Sequence, residues 1–159
     1  MSRSIVRSIS AMGCALVLAA SASGCGGGST KAGSSGTTQD LAVVKYRADA
    51  TAICHATNVK LHAYITSSGL TAGSSPAAQD KALAHVGQEY LDEAAQLQAL
   101  TAPTSIATDV STWLTDFRTA ATQVKNNGRK LVAEKLSPFE QVDADASALE
   151  IPGCLSKAT

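Results

Sequence analysis

The chain has 159 residues, of which 45% are apolar and only 4% aromatic, and its 13 Lys and Arg balance 13 Asp and Glu. Charges of both signs are mixed along its length, with no basic stripe and no Arg cluster, which excludes partners held by phosphate neutralisation such as nucleic acid. The amount of chain suits one domain, and the alanine-rich, aromatic-poor apolar set predicts a thin, close-packed core.

The N-terminus opens MSRSIVR, where Arg3 and Arg7 are the only charges before residue 31, and continues as ISAMGCALVLAASA, ending in small residues. A positive end, a short apolar core and a small-residue region form the three-part layout of a secretory signal, assigned to residues 1–24. The apolar run falls short of the roughly 20 residues that a transmembrane helix needs.

Ala22-Ser23-Gly24-Cys25 resembles the lipobox of bacterial lipoproteins. The resemblance implies that the Cys25 thiol receives a diacylglyceryl group, that the leader is cut before Cys25, and that acyl chains such as palmitate hold the mature protein on the extracytoplasmic side of the cell membrane. Ala22 stands where the family usually has Leu, and ordinary cleavage after the Ala-Ser-Ala-like stretch is the competing reading. The next residues, GGGSTKAGSSGTT, offer nothing apolar to a core, so residues 25–37 read as a flexible tether. Two or three acyl chains anchor firmly where a single chain binds only marginally. Loss of the leader's two arginines leaves 11 basic residues facing 13 acidic ones, a net charge of about −2.

Four cysteines sort themselves along this layout. Cys14 leaves with the leader and Cys25 takes the lipid, so Cys54 and Cys154 remain in the exported domain, residues 38–159, where an oxidised pair is expected. Such a bridge closes nearly the whole domain into a loop and stabilises it by on the order of 4–5 kcal/mol. Two free thiols are the alternative, and no Cys-x-x-Cys motif is present to set redox chemistry.

Glycine and proline divide the domain into four helical stretches. In the first, Val43, Tyr46, Ala50, Ile53, Cys54, Thr57, Leu61 and Tyr64 recur at steps of three and four, until Gly69 and Gly73 end it. The second opens at Ser75-Pro76, an N-cap followed by an N1 proline, and carries Leu83, Val86, Tyr90, Ala94 and Leu97 on its stripe. After Ala102-Pro103 the third is lined by Ile106, Val110, Trp113, Phe117, Ala121 and Val124, with Asn126-Asn127-Gly128 expected to stop it. The fourth carries Val132, Leu136, Phe139, Val142, Ala146 and Leu149. Ser137-Pro138-Phe139-Glu140 interrupts it with the pattern of a capping box, which predicts one kinked helix or two short ones.

Four amphipathic segments with short links predict an all-α fold, an up-down four-helix bundle with a kinked or split fourth helix. That topology requires the first helix to overhang the others at its start, or the tail to fold back, before Cys54 and Cys154 can meet.

The same elements resemble a broad group of small exported proteins of actinobacteria, mostly of unassigned activity. The likeness is carried by the lipobox-like leader, Tyr46 ahead of Ile53-Cys54, Asn58 one turn later, Leu100-Thr101-Ala102-Pro103, and the closing Ile151-Pro152-Gly153-Cys154. It implies a helical, disulfide-closed lipoprotein and no particular activity.

Candidate chemistry is sparse. His55 and His62 lie two turns apart on the first helix and His85 on the second, with Asp49, Glu89 and Asp92 as conceivable acidic companions. No histidine pair has the i,i+4 spacing of a helical zinc motif, so no metal, haem or other cofactor is expected. Serines and threonines stand in no nucleophile elbow and no Gly-rich phosphate loop occurs, so no catalytic residue is assigned. Glu89, Asp92 and Glu93 read as a solvated acidic face, and Trp113 as a core residue. The expected function is a lipid-anchored binding or scaffolding protein of the bacterial cell envelope with an unidentified envelope partner. A small-ligand carrier is the alternative, and an envelope enzyme ranks behind it. The links at Gly69–Ser75 and Asn126–Gly128 share one end of the expected bundle, where a partner could dock.

Overall fold

A computed structural model describes residues 35–71 and 73–156. The leader, Cys14, Cys25 and residues 25–34 of the tether lie outside the described residues. Four α-helices follow one another, α1 (Ser35–Ser68), α2 (Pro76–Ala99), α3 (Ala107–Glu134) and α4 (Glu140–Ala148), and a 3-10 turn at Pro152–Cys154 closes the chain. No strand occurs among the described residues.

The 34 residues of α1 span about 51 Å. Its buried face, Tyr46, Ala50, Cys54, Thr57 and Leu61, follows the expected three-and-four spacing. Gly69 ends the helix at φ +62°, a conformation that costs other residues strain, while a Cβ there would meet nothing within 4 Å. Backbone geometry, not crowding, asks for glycine. At the start of α2 the Ser75 hydroxyl accepts from the Ala78 amide at 3.3 Å, and Pro76 occupies the first turn.

The most extensive helix contact is that of α2 with α3. Gly87 lies against the Lys125 backbone, Gly128 lies under Leu83, Arg129 pairs with Asp80 at 2.9 Å, and Arg118 donates to Gln98. Residue numbers therefore fall along one helix as they rise along the other. Trp113, Leu97, Ile151, Val142 and Cys54 are the largest fully buried side chains.

Three expectations are corrected. The Asn126-Asn127-Gly128 segment does not stop α3. Only Asn127 departs from helical dihedrals, as a kink, and the helix continues to Glu134 because Gly128 is clamped under Leu83 and Arg129 is tied to Asp80. The true stop is Lys135 at φ 55°, whose amide donates to the Leu131 and Val132 carbonyls, with Leu136 N–H closing onto Leu131 at 2.9 Å. Val132 and Leu136, expected in the core of a fourth helix, are 66% and 56% exposed, because the last turns of α3 run past the crossing with α2. Finally, α4 starts at Glu140 with Phe139 as N-cap and no side-chain cap, so the expected capping box from Ser137 to Glu140 does not form.

The tail turns back onto the middle of α1. Arg47 Nε donates to the Leu149 carbonyl at 2.8 Å and its guanidinium pairs with Glu150, while Asn58 Nδ2 donates to the Gly153 carbonyl at 3.4 Å. Gly153 sits so close to α1 that a Cβ would stand 2.7 Å from Thr51 Cγ2. The disulfide Cys54–Cys154 seals this contact, with Cα atoms 5.0 Å apart. Of the two anticipated solutions the tail folding back occurs, while the start of α1 lies beside the α2–α3 connection, with Ala42 and Tyr46 near Leu100 and Pro103.

Candidate functional site

Two places in the fold have properties beyond those of a packed helical domain. The first is an open, uncharged groove of about 380 Å³ at the α1–α2 turn. Its floor is Ala82, Leu83 and Val86 of α2, and its sides are Tyr64 and Ile65 of α1, Leu70 and Thr71 of the link, and Val132 of α3. Gln79 is the remaining polar residue along it.

Local hydrogen bonds fix the rim. Thr71 N–H donates to Ser74 Oγ at 2.9 Å, Ser74 N–H returns to the Thr71 carbonyl at 3.0 Å, and Gln79 Nε2 donates to the Ser74 carbonyl at 2.9 Å. Gly128, pressed against Leu83, sets how far that floor residue stands out. Ile65 is 53% exposed and Val132 66%, so two large apolar side chains face water across an apolar floor. Tyr64, Thr71 and Gln79 supply its polar atoms, and among the described residues no Lys, Arg, His, Asp or Glu side chain lines it.

A second hollow, of about 530 Å³, lies between α1 and the α2–α3 connection, beside Ala42, Tyr46, Leu100 and Pro103. It carries the ion pair Lys45–Asp49 at 2.6 Å and so lacks the uncharged character of the groove.

The second distinctive place is buried. Glu93 is only 3% exposed, and one of its carboxyl oxygens lies within 4.8 Å of both disulfide sulfurs. Asn58, Tyr90, Phe117, Phe139 and Leu155 surround a cavity of about 10 Å³ there, room for one water at most. Burial in this largely aromatic shell raises the Glu93 pKa to about 8, against a smaller opposing effect of its hydrogen bond with Thr57. Its Oε2 has no partner. Tyr90 is likewise pushed up, first by burial and then by the nearby charges of Glu93 and Asp143. Asp143 in turn accepts from the Ser156 amide at 2.8 Å and from its hydroxyl at 2.6 Å, tying the tail to α4.

This placement corrects the reading of Glu89, Asp92 and Glu93 as one solvated face. Asp92 is exposed and receives Gln88 Nε2 at 2.8 Å, whereas Glu93 points inward. A signal was present: Glu93 stands three residues after Tyr90 and four before Leu97, within the apolar stripe of its helix.

The histidines are not brought together. His55 and His62 are exposed on α1, while the His85 ring packs on Tyr64 with centroids 3.9 Å apart and lies 3.7 Å from Glu89. Among the described residues the one cluster of potential metal-ligating atoms is Cys54, Glu93 and Cys154, and its sulfurs are bonded to each other. No described helix is long and apolar enough to cross a membrane. Comparison with protein-family models, curated proteins and solved structures returned no match, so the functional reading rests on the geometry of these sites.

Proposed function

We propose that this chain is a lipid-anchored, extracytoplasmic helical binding protein of the cell envelope, which receives an apolar helical segment of a partner protein in the groove between Ile65 and Val132. In this reading residues 1–24 direct export, Cys25 carries the lipid, and the stretch from Cys25 to the start of α1 at Ser35 gives the domain reach from the membrane. The domain is taken as an up-down bundle, its fourth member reduced to α4 and the turn that follows.

One observation carries the binding reading: the groove is open, uncharged and flanked by exposed aliphatic side chains. Those are the properties by which a groove accepts the apolar face of an amphipathic helix. An enclosed passenger fits less well, since the cavity beside Glu93 holds no more than a water. The carrier reading keeps one supporting fact, because 380 Å³ falls within the range of small-ligand sites.

The test is a photo-crosslinker at Val132 in the full-length protein in its own membranes, with exposed Thr115 as the control position. A discrete adduct from 132, absent from 115 and lost when Ile65→Asp is added to the same chain, supports the proposal. Indistinguishable patterns from the two positions overturn it. Native mass measurement in mild detergent decides for the carrier if a small passenger remains on the domain.

A further inference from the structure

The surroundings of the disulfide are unequal on its two sides. Cys54 is 1% exposed and sits on the buried face of α1, whereas Cys154 is partly exposed on the terminal turn. Cys154 is thus the less buried partner, although its Sγ lies 3.6 Å from the Ala50 carbonyl, and attack on it would leave Cys54 as the leaving group. The Glu93 carboxyl stands within 4.8 Å of both, with its Oε2 unpartnered.

No Lys, Arg or His lines the pocket to hold Glu93 as an anion. The groups that face it are Thr57 and Asn58 from α1, Tyr90 from its own helix, Phe117 from α3, Phe139 from α4, and Leu155 and Ser156 from the tail. Asp143 is the nearest further charge, acting on Tyr90 and bound to Ser156.

We propose that Cys54–Cys154 is a thiol–disulfide exchange centre, in which Glu93 passes a proton to and from Cys54 and the substrate is a dithiol or disulfide of another protein. In the reducing direction a substrate thiolate attacks Cys154 Sγ. The Cys54–Cys154 bond breaks, its electron pair goes to Cys54 Sγ, and the Glu93 carboxyl gives that sulfur its proton. The second thiol of the substrate then attacks its own sulfur in the mixed disulfide, releasing Cys154 as thiolate and leaving the substrate as a disulfide. In the oxidising direction the Cys154 thiolate attacks a substrate disulfide and releases one substrate thiolate; the Glu93 carboxylate then takes the Cys54 proton, and Cys54 Sγ attacks Cys154 Sγ and displaces the second substrate thiolate.

Burial pushes the Glu93 carboxyl up to about 8, so at neutral pH it holds the proton that the departing Cys54 sulfur needs. A Cys-x-x-Cys protein tunes its leaving thiol by motif; here a buried acid on another helix takes that role.

The test is reduction of the full mature chain by dithiothreitol from pH 6 to 9.5, with each rate divided by the thiolate fraction of the reagent. For the native protein the per-thiolate rate is expected to be high at low pH and to fall as pH rises through about 8. Glu93→Gln should remove that dependence and slow the reaction at pH 6.5 by about a hundredfold, the low side of what a positioned acid contributes. Trapping with glutathione, which needs no variant, should place the mixed disulfide on Cys154. The proposal is overturned by coincident profiles for Glu93→Gln and the native chain, by a mixed disulfide on Cys54, or by a reduction rate that simply tracks global unfolding in urea.

Discussion

Gly87 of α2 and Lys125 of α3 meet backbone to backbone: a Cβ added at Gly87 would lie 2.6 Å from Lys125 Cα. The obstruction is main chain, which cannot rotate away as a side chain would. Gly87→Ala is therefore expected to push the two helices apart and destabilise the domain by about 1–3 kcal/mol, the range for overpacking. The gain in helix propensity, about 1 kcal/mol, offsets only part of this. Urea unfolding measures it, and a variant as stable as the native chain would show that the crossing yields without cost.

The same crossing explains what could be read of the helices in advance and what could not. Buried positions on α1 followed from their three-and-four spacing, whereas on α2 only Ala94 and Leu97 of the expected stripe are buried, because that helix packs against both α1 and α3. The end of α3 did not follow, because Asn126-Asn127-Gly128 is a stop only where no tertiary contact favours continuation. Gly128 is small because Leu83 lies 2.7 Å from where its Cβ would be, so a packing requirement had the appearance of a terminator. Beyond it, the apolar spacing of Val132 and Leu136 matched a core stripe although nothing covers these residues. Period alone does not say whether a partner is present.

Glu93 makes the stability of the domain depend on pH in a stated direction. Its folded pKa of about 8 lies above the ordinary 4.5, so between these values the unfolded chain releases a proton that the folded one keeps. Its contribution is full below about pH 4.5, declines as pH rises, and is lost once pH passes about 8. Within that window the loss approaches about 1.4 kcal/mol per pH unit. Glu93→Gln removes the slope, so the stability difference between native and variant should shift toward the variant from pH 5 to 8 and level off above. A difference that stays constant across this range in urea titrations would show that Glu93 ionises in the fold as it does in water.

Closing a loop across a sequence separation of 100, the Cys54–Cys154 bridge should be the largest single constraint on the unfolded chain. The paired substitution Cys54→Ala and Cys154→Ala is expected to cost on the order of 4–5 kcal/mol. The loss should concentrate at the tail, where hydrogen exchange near Ile151 and Cys154 should accelerate more than in the α2–α3 pair. A cost below about 1 kcal/mol would mean that Arg47 and Asn58 already hold the tail without the bridge.

Anchoring makes a separate prediction. Cys25→Ser should remove the acylated thiol and release the protein from membranes or leave the leader uncut, as seen by fractionation and intact mass. Unchanged membrane association and processing would remove the lipid from the proposed function while leaving the groove untouched.

How much of the site was legible differs between its two parts. Pairing of Cys54 with Cys154 was readable, because only these two cysteines lie in the helical domain. Glu93 was obscured by Glu89 and Asp92, which lie one turn and one residue before it on the same side of the helix, and only its place on the edge of that side between Tyr90 and Leu97 buries it. Of the groove only its neighbourhood was readable, the end of the bundle that carries the Gly69–Ser75 link, and its walls were not. It arises where α3 overruns its expected end and Val132 comes to stand across from Ile65 and Leu70.

That origin gives the groove a test independent of any partner. Ile65 and Val132 are more than half exposed, so Ile65→Ser with Val132→Ser should change stability by no more than about 0.5 kcal/mol per site. Binding of an uncharged apolar dye such as Nile red should nevertheless weaken about tenfold, the equivalent of about 1.4 kcal/mol of lost apolar burial. Leu41→Ser is the matched control, since Leu41 is 69% exposed and lies outside the groove. If Leu41→Ser weakens dye binding as much as the paired variant, the dye is reporting scattered surface apolarity and the groove has no special affinity. Loss confined to the Ile65 and Val132 pair, with unfolding curves superimposed, would locate apolar binding in the hollow that the extension of α3 creates.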